Sequence, residues 1–244
     1  MVNRLKKISM NAGKWSTWLL VIFLMVNVAL GFITNVPTHV TESDAAVFRT
    51  KLNLKKPVVP LTYAQEIELI RSVQALIFDK VPTGEPIPNY EDREPEDLLE
   101  RNSALCYDRS RTYDKVFLWL GFETRHIFIL YSKHPITGET QSFIRAMFTK
   151  GPNNTHAVTE VKTSKGWVIV DSNSAWIGIA ANGLPINVDH LHEQQAQLPG
   201  MPAYFNQPYI AIRGMYSRRG QFYRPYIPYP ELNWVDFFEW IGGK

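Results

Sequence analysis

The chain has 244 residues, a formal net charge of +3, 45% hydrophobic residues and 20% charged residues. That balance builds a buried core and excludes a disordered chain, and its small, scattered positive charge gives no basis for a nucleic-acid partner. The single cysteine, Cys106, excludes an internal disulfide, a disulfide-dense scaffold and a four-cysteine zinc site.

Residues 1–14 form a basic tail with Arg4, Lys6, Lys7 and Lys14, and no acidic residue appears before Glu42. Residues 15–33 (WSTWLLVIFLMVNVALGFI) are uncharged and of about the length that spans a bilayer as a helix. Trp15 and Trp18 stand at the start of this run, where indole rings favour the membrane interface. The positive flank predicts a cytoplasmic N-terminus and a signal-anchor helix, with the rest of the chain extracytoplasmic (periplasmic or extracellular). The rival expectation is secretion after signal cleavage at Ala29-Leu30-Gly31, and the apolar run continuing through Phe32 and Ile33 favours the anchor.

Residues 34–60 read as a linker, 61–182 as the core domain and 183–244 as an aromatic-rich C-terminal extension packed on it. Within the core, Thr62 and Gln65 form a capping-box pattern ahead of Ile67, Ile70, Val73, Leu76 and Ile77, a helical period that ends by Pro82. Residues 82–95 read as a loop, followed by a short helix over Glu96 to Glu100. A longer helix is expected from Asn102 to Gly121, capped by Asn102 or Ser103, with Cys106, Ser110, Tyr113, Phe117 and Leu120 on its inward face. Thr124 to Tyr131 reads as a strand, and His156 to Lys162 with Trp167 to Asp171 as a hairpin turning at Thr163 to Gly166. A short aromatic helix is expected over Asn233 to Ile241.

Cys106 falls in the first turn of its helix, where unpaired backbone N–H groups and the helix dipole favour a thiolate and can hold an oxyanion. Closing the hairpin brings His156 and Asp171 together at its open end, directly opposite or one diagonal step apart. The aspartate would then orient the imidazole, and the imidazole would take the thiol proton. The expected catalytic set is therefore Cys106, His156 and Asp171.

The stretches LCYDRSRTYDKVFLWLGFETRHIFI and HAVTEVKTSKGWVIVDSN resemble the transglutaminase-like superfamily across roughly residues 65–180. Cys106, Asp108, Gly121 and Arg125 match its first segment, and His156, Trp167 and Asp171 match its second. The resemblance implies an α+β, papain-like core: a helix carrying the cysteine packed on an antiparallel sheet, here joined to one N-terminal transmembrane helix. It also implies cysteine chemistry on a peptide, protein or glycopeptide substrate, by hydrolysis or acyl transfer, with no metal or organic cofactor. Leu105 and Val158 depart from the family's usual small and aromatic residues and bear on the substrate groove. A non-catalytic peptide- or glycan-binding module of the cell envelope is the alternative from another class.

Weaker signals read as structural. His190 and His192 have metal-ligand spacing without supporting ligands, and His126 and His134 have no evident partners. Asn153-Asn154-Thr155 fits a glycosylation acceptor but reads better as a polar turn. The aromatic stretch Tyr204 to Tyr229, with Arg213, Arg218, Arg219 and Arg224, fits either a substrate groove or packed surface arms. The aromatic C-terminal helix is expected to pack on the core rather than on a bilayer.

Overall fold

The computed structural model describes residues 2–134, 137–148, 154–194 and 198–243. Helix α1 runs Val2–Ile33, and its stretch Trp15–Ile33 is long and apolar enough to cross a membrane. That stretch is 0% buried against the protein, so its apolar surface is available to lipid. Its one polar interior side chain, Asn27, donates to the Phe23 carbonyl at 2.7 Å, which satisfies part of its amide within the helix.

Residues 34–60, expected as a linker, contain helix α2 (Glu42–Thr50). Thr41 caps it: its hydroxyl accepts from the Asp44 N–H at 3.1 Å, and the Asp44 carboxylate accepts from the Thr41 N–H at 2.8 Å. Ala45, Val47 and Phe48 are buried in the main core. Such a short helix shows too few turns for its period to stand out in sequence.

Helix α3 (Tyr63–Lys80) starts as expected, with the Gln65 side chain accepting from the Thr62 N–H at 2.9 Å. Helix α4 spans Pro95–Arg101, and Asn102 ends it with φ +59°, a left-handed position that asparagine tolerates. Asn102 therefore closes one helix and does not cap the next. Helix α5 begins at Cys106 and runs to Leu120, with the Asp108 carboxylate accepting from the Leu105 N–H at 3.1 Å. Gly121, at φ +99°, ends it as expected.

Strands β1 (Thr124–Tyr131), β2 (Thr155–Thr163), β3 (Gly166–Asp171) and β4 (Tyr209–Arg213) form an antiparallel sheet in the order β3-β2-β1-β4. The C-terminal region thus supplies a strand of the central sheet as well as packing on it. Between β1 and β2 lies helix α6 (Phe143–Phe148). Asn153, the acceptor in the glycosylation pattern, lies outside the described residues. A second small sheet pairs β5 (Met215–Ser217) with β6 (Glu231–Leu232), and helix α7 (Trp234–Ile241) follows.

Alternation along the strands divides the core. Val161, Val168 and Val170 face α5 and α3 on one side of the sheet. On the other, Ile127, Ile129, Val158 and Ile169 pack beneath Trp176, Val188, Leu191 and Phe205 of the long segment between β3 and β4. The result is a mixed helix and antiparallel-sheet domain behind one N-terminal apolar helix.

Helix α5 is buried on nearly every side, charged residues included. Lys115 pairs with Asp44 at 2.7 Å and with Glu94, joining α5 to α2 and to the start of α4. Burial raises the Asp44 pKa, but the Lys115 and Thr41 hydrogen bonds outweigh it and leave the carboxyl below its ordinary value. Lys115→Met is expected to lower unfolding stability by about 3–5 kcal/mol, because it leaves a buried carboxylate unpaired. Adding Asp44→Asn to that variant should restore part of the loss, as read by thermal unfolding of the detergent-solubilised chain.

Candidate active site

Cys106 is the first residue of α5 and is buried, with 9% of its surface exposed. On β2 and β3, Val158 sits opposite Asp171, so His156 lies one diagonal step away on the same face. His156 Nε2 meets Asp171 Oδ1 at 2.6 Å. The Cys106 side chain lies near enough to the ring to help raise its pKa. The expected cysteine, histidine and aspartate are therefore contiguous. His156 and Asp171 project from the face opposite α5, at the strand ends where α5 begins.

Burial pushes the His156 pKa down, but its hydrogen bonds to Asp171 and Cys106 outweigh that and raise it to about 10. Burial pushes Asp171 up, and its bond with His156 outweighs that and holds the carboxyl below its ordinary value. The pair at neutral pH is thus imidazolium and carboxylate.

Several residues that sequence reasoning did not single out complete the arrangement. Asp171 Oδ2 accepts from the Ser174 hydroxyl at 2.5 Å and from the Tyr204 hydroxyl. Tyr204 and Phe205 also present their rings to His156, with centroids 5.0 and 5.8 Å away. Tyr131 is buried on the same sheet face, its hydroxyl without a hydrogen-bond partner among the described residues. Arg109 is fully buried and places every guanidinium N–H. Nε donates to the Ser172 carbonyl at 2.5 Å, Nη1 to the carbonyls of Val81 and Ala104 at 3.1 and 2.9 Å, and Nη2 to Thr83 and Asn173 at 3.0 and 2.6 Å. It thereby ties the first turn of α5 to the two residues after Asp171. Gln74 of α3 holds the same bend, its amide donating to the carbonyls of Asp171, Ser174 and Trp176 at 2.7–3.0 Å. Only Ser174, three residues past the strand end and able to hydrogen-bond back, carried a local signal for its role.

Other motif positions serve the scaffold. Asp108 is buried and paired with Arg93, which comes from the region read as a loop. Arg125 stacks on Trp167 at 3.8 Å, at the far end of the strands from His156. Ser110, His126 and Asp114 form a buried set, but both contacts fall on His126 Nδ1, at 3.1 and 4.0 Å, and Nε2 has no partner. That arrangement does not relay a proton. His190 bonds Asn187 at 2.7 Å, and His192 lies against Tyr209. The aromatic stretch divides its roles: Tyr204 joins the site, Tyr216 bonds Asp114 at 3.1 Å, and Arg224 donates to the Tyr90 carbonyl. Arg218 and Arg219 line a hollow with Tyr107, Phe128, Thr155 and Phe222. Tyr107 and Thr155 are the chain neighbours of Cys106 and His156.

Residues 59–172 match the profile of the transglutaminase-like superfamily. The chain carries a transglutaminase-like domain. The matched stretch opens just before α3 and closes one residue past Asp171, so it holds Cys106, His156 and Asp171 but not Tyr204. No curated protein matches the chain.

Arg109→Lys in the transglutaminase-like domain cannot replace five directed donors with three, leaving buried carbonyls unpaired. Expected is a stability loss of about 2–4 kcal/mol by thermal unfolding, together with slower alkylation of Cys106. Tyr204→Phe, by contrast, is expected to change stability by only about 1 kcal/mol.

Proposed function

We propose that this chain is a membrane-anchored, extracytoplasmic cysteine enzyme that acts on a peptide or amide bond through a thioester. The observation that supports this best is the His156–Asp171 bond at 2.6 Å, with Cys106 at the start of α5 close enough to raise the ring's pKa. In the proposed reaction the Cys106 sulfur attacks the substrate carbonyl carbon. The first N–H groups of α5 face the oxygen as it gains charge. His156 gives its proton to the departing amine as the C–N bond breaks, leaving a thioester on Cys106. His156 then takes a proton from water as the water oxygen adds to the thioester, and the C–S bond breaks to release a carboxylic acid and restore the Cys106 thiolate beside the imidazolium. In a transfer reaction an amine takes the place of water and a new amide leaves. Asp171 stays ionised and keeps the ring oriented.

A second reading, a non-catalytic peptide- or glycan-binding module, draws on the burial of Cys106. Iodoacetamide separates the two. For an enzyme, Cys106 in the native protein is alkylated faster than in the denatured protein at pH 5–6, because the neighbouring imidazolium favours the thiolate. His156→Ala should then slow native alkylation roughly ten-fold or more. Equal rates in both states with no effect of His156→Ala would count against an activated thiol.

The His156 proton sets a second expectation. A group held at about pKa 10 keeps its proton through neutral pH and loses it as pH rises past that value. The alkylation rate should therefore change near pH 10, and Asp171→Asn should move that change to lower pH by removing the charge that retains the proton. A profile identical in both proteins would contradict the proposed role of Asp171.

A further inference from the structure

We propose that α7 is an interfacial helix that lies in the headgroup layer of the bilayer beside the exit of α1. This rests on the reading of α1 as a membrane-spanning helix, which the chain's apolar stretch Trp15–Ile33 supports.

The two helices are joined at one level. The Trp234 indole N–H, at the start of α7, donates to the Gly31 carbonyl in the last turn of α1 at 2.7 Å. A Cβ on Gly31 would sit 3.3 Å from the Trp234 ring, so the glycine permits the close approach. Four further bonds fix the junction. The Val36 N–H donates to the Leu232 carbonyl at 2.9 Å, and the Leu232 N–H to the Thr34 carbonyl at 3.3 Å. The Asn233 amide donates to the Val36 carbonyl at 2.9 Å, and the Trp234 N–H to the Asn35 side chain at 3.3 Å. Where α1 leaves the hydrocarbon, α7 begins.

Helix α7 carries apolar residues on two faces. Trp234, Phe237 and Trp240 pack against Phe128, Leu130, Ile212 and Leu232. Val235, Phe238 and Ile241 recur on the other face and are 60–66% exposed. A water-facing helix has no reason to present Val, Phe and Ile there, while a helix at bilayer depth buries them in the headgroup and acyl boundary. The exposed Phe32 and Ile33 at the end of α1 continue the apolar surface. The helix carries Asp236 and Glu239 and no base, so apolar burial rather than attraction to anionic lipid holds it. Because α7 packs on β4, the proposal also turns the β4 edge of the sheet toward the membrane.

The single cysteine makes the test direct. In a Cys106→Ser background, Met25→Cys, Phe238→Cys and Leu184→Cys would each carry an environment-sensitive fluorophore. The full chain would be reconstituted in zwitterionic phosphatidylcholine vesicles doped with nitroxide lipids. Leu184 lies beside β3, at the opposite sheet edge, and serves as the reference. Expected are quenching at Met25 by a bilayer-centre nitroxide, loss of roughly half the Phe238 emission to a headgroup nitroxide, no quenching at Leu184, and no change on adding salt. Quenching at Met25 without quenching at Phe238 overturns the placement of α7 and leaves the α1 anchor intact. A blue-shifted Phe238 label that lipid nitroxides do not quench would mean cover by protein, and it overturns the proposal too. No quenching at Met25 overturns the anchor reading itself.

Discussion

One buried guanidinium holds the candidate site together. Arg109 stands one turn after Cys106, and its donors end on Ser172 and Asn173, immediately after Asp171. Its other donors end on Val81, Thr83 and Ala104, the two chain segments that run past the start of α5. Cys106 starts a helix packed on one face of the sheet, and Asp171 projects from the other face, so neither β pairing nor helix packing alone sets their separation. A planar fork with directed donors does. Once that distance is fixed, the β2–β3 register places His156 between them.

The same logic extends along α5. An ordinary amphipathic helix buries one stripe and leaves its charges in water. Here Asp108, Arg111, Asp114 and Lys115 are buried as well, and each meets a partner on a different element. Asp108 meets Arg93, Lys115 meets Asp44 and Glu94, Arg111 bonds Tyr223 at 3.1 Å, and Asp114 bonds Tyr216. Buried charge without a partner is costly, so these pairs specify one seating of α5. Arg93 and Glu94 lie within the stretch with family similarity, but Asp44 precedes it, and Tyr216 and Tyr223 follow it. Helix α2 and the C-terminal region are therefore part of what orients the cysteine helix.

The C-terminal region also joins the site to the proposed membrane contact. Tyr204 reaches Asp171, β4 extends the sheet, and α7 closes against the end of α1. A domain held this way has little freedom to swing on α1.

The sequence by itself determined the local elements with strong signals. The apolar run of α1, the capping box of α3, the Gly121 stop of α5 and the hairpin that opens at His156 and Asp171 each follow from neighbours a few residues apart. The three candidate catalytic residues were legible for that reason: a helix start, a strand start and a strand end are local features. Only the tertiary structure decided the rest. Asp108 was legible as a motif, but its Arg93 partner came from a loop. Arg109 had no sequence signal, because its five acceptors are mostly backbone carbonyls that carry no side-chain signature. Helix α2 was hidden by its brevity, and Asn102 looked like a start because a left-handed stop and an N-cap favour the same residue. Tyr204 and α7 gained their meaning from contacts with Asp171 and Gly31, far away in sequence, which no local pattern encodes.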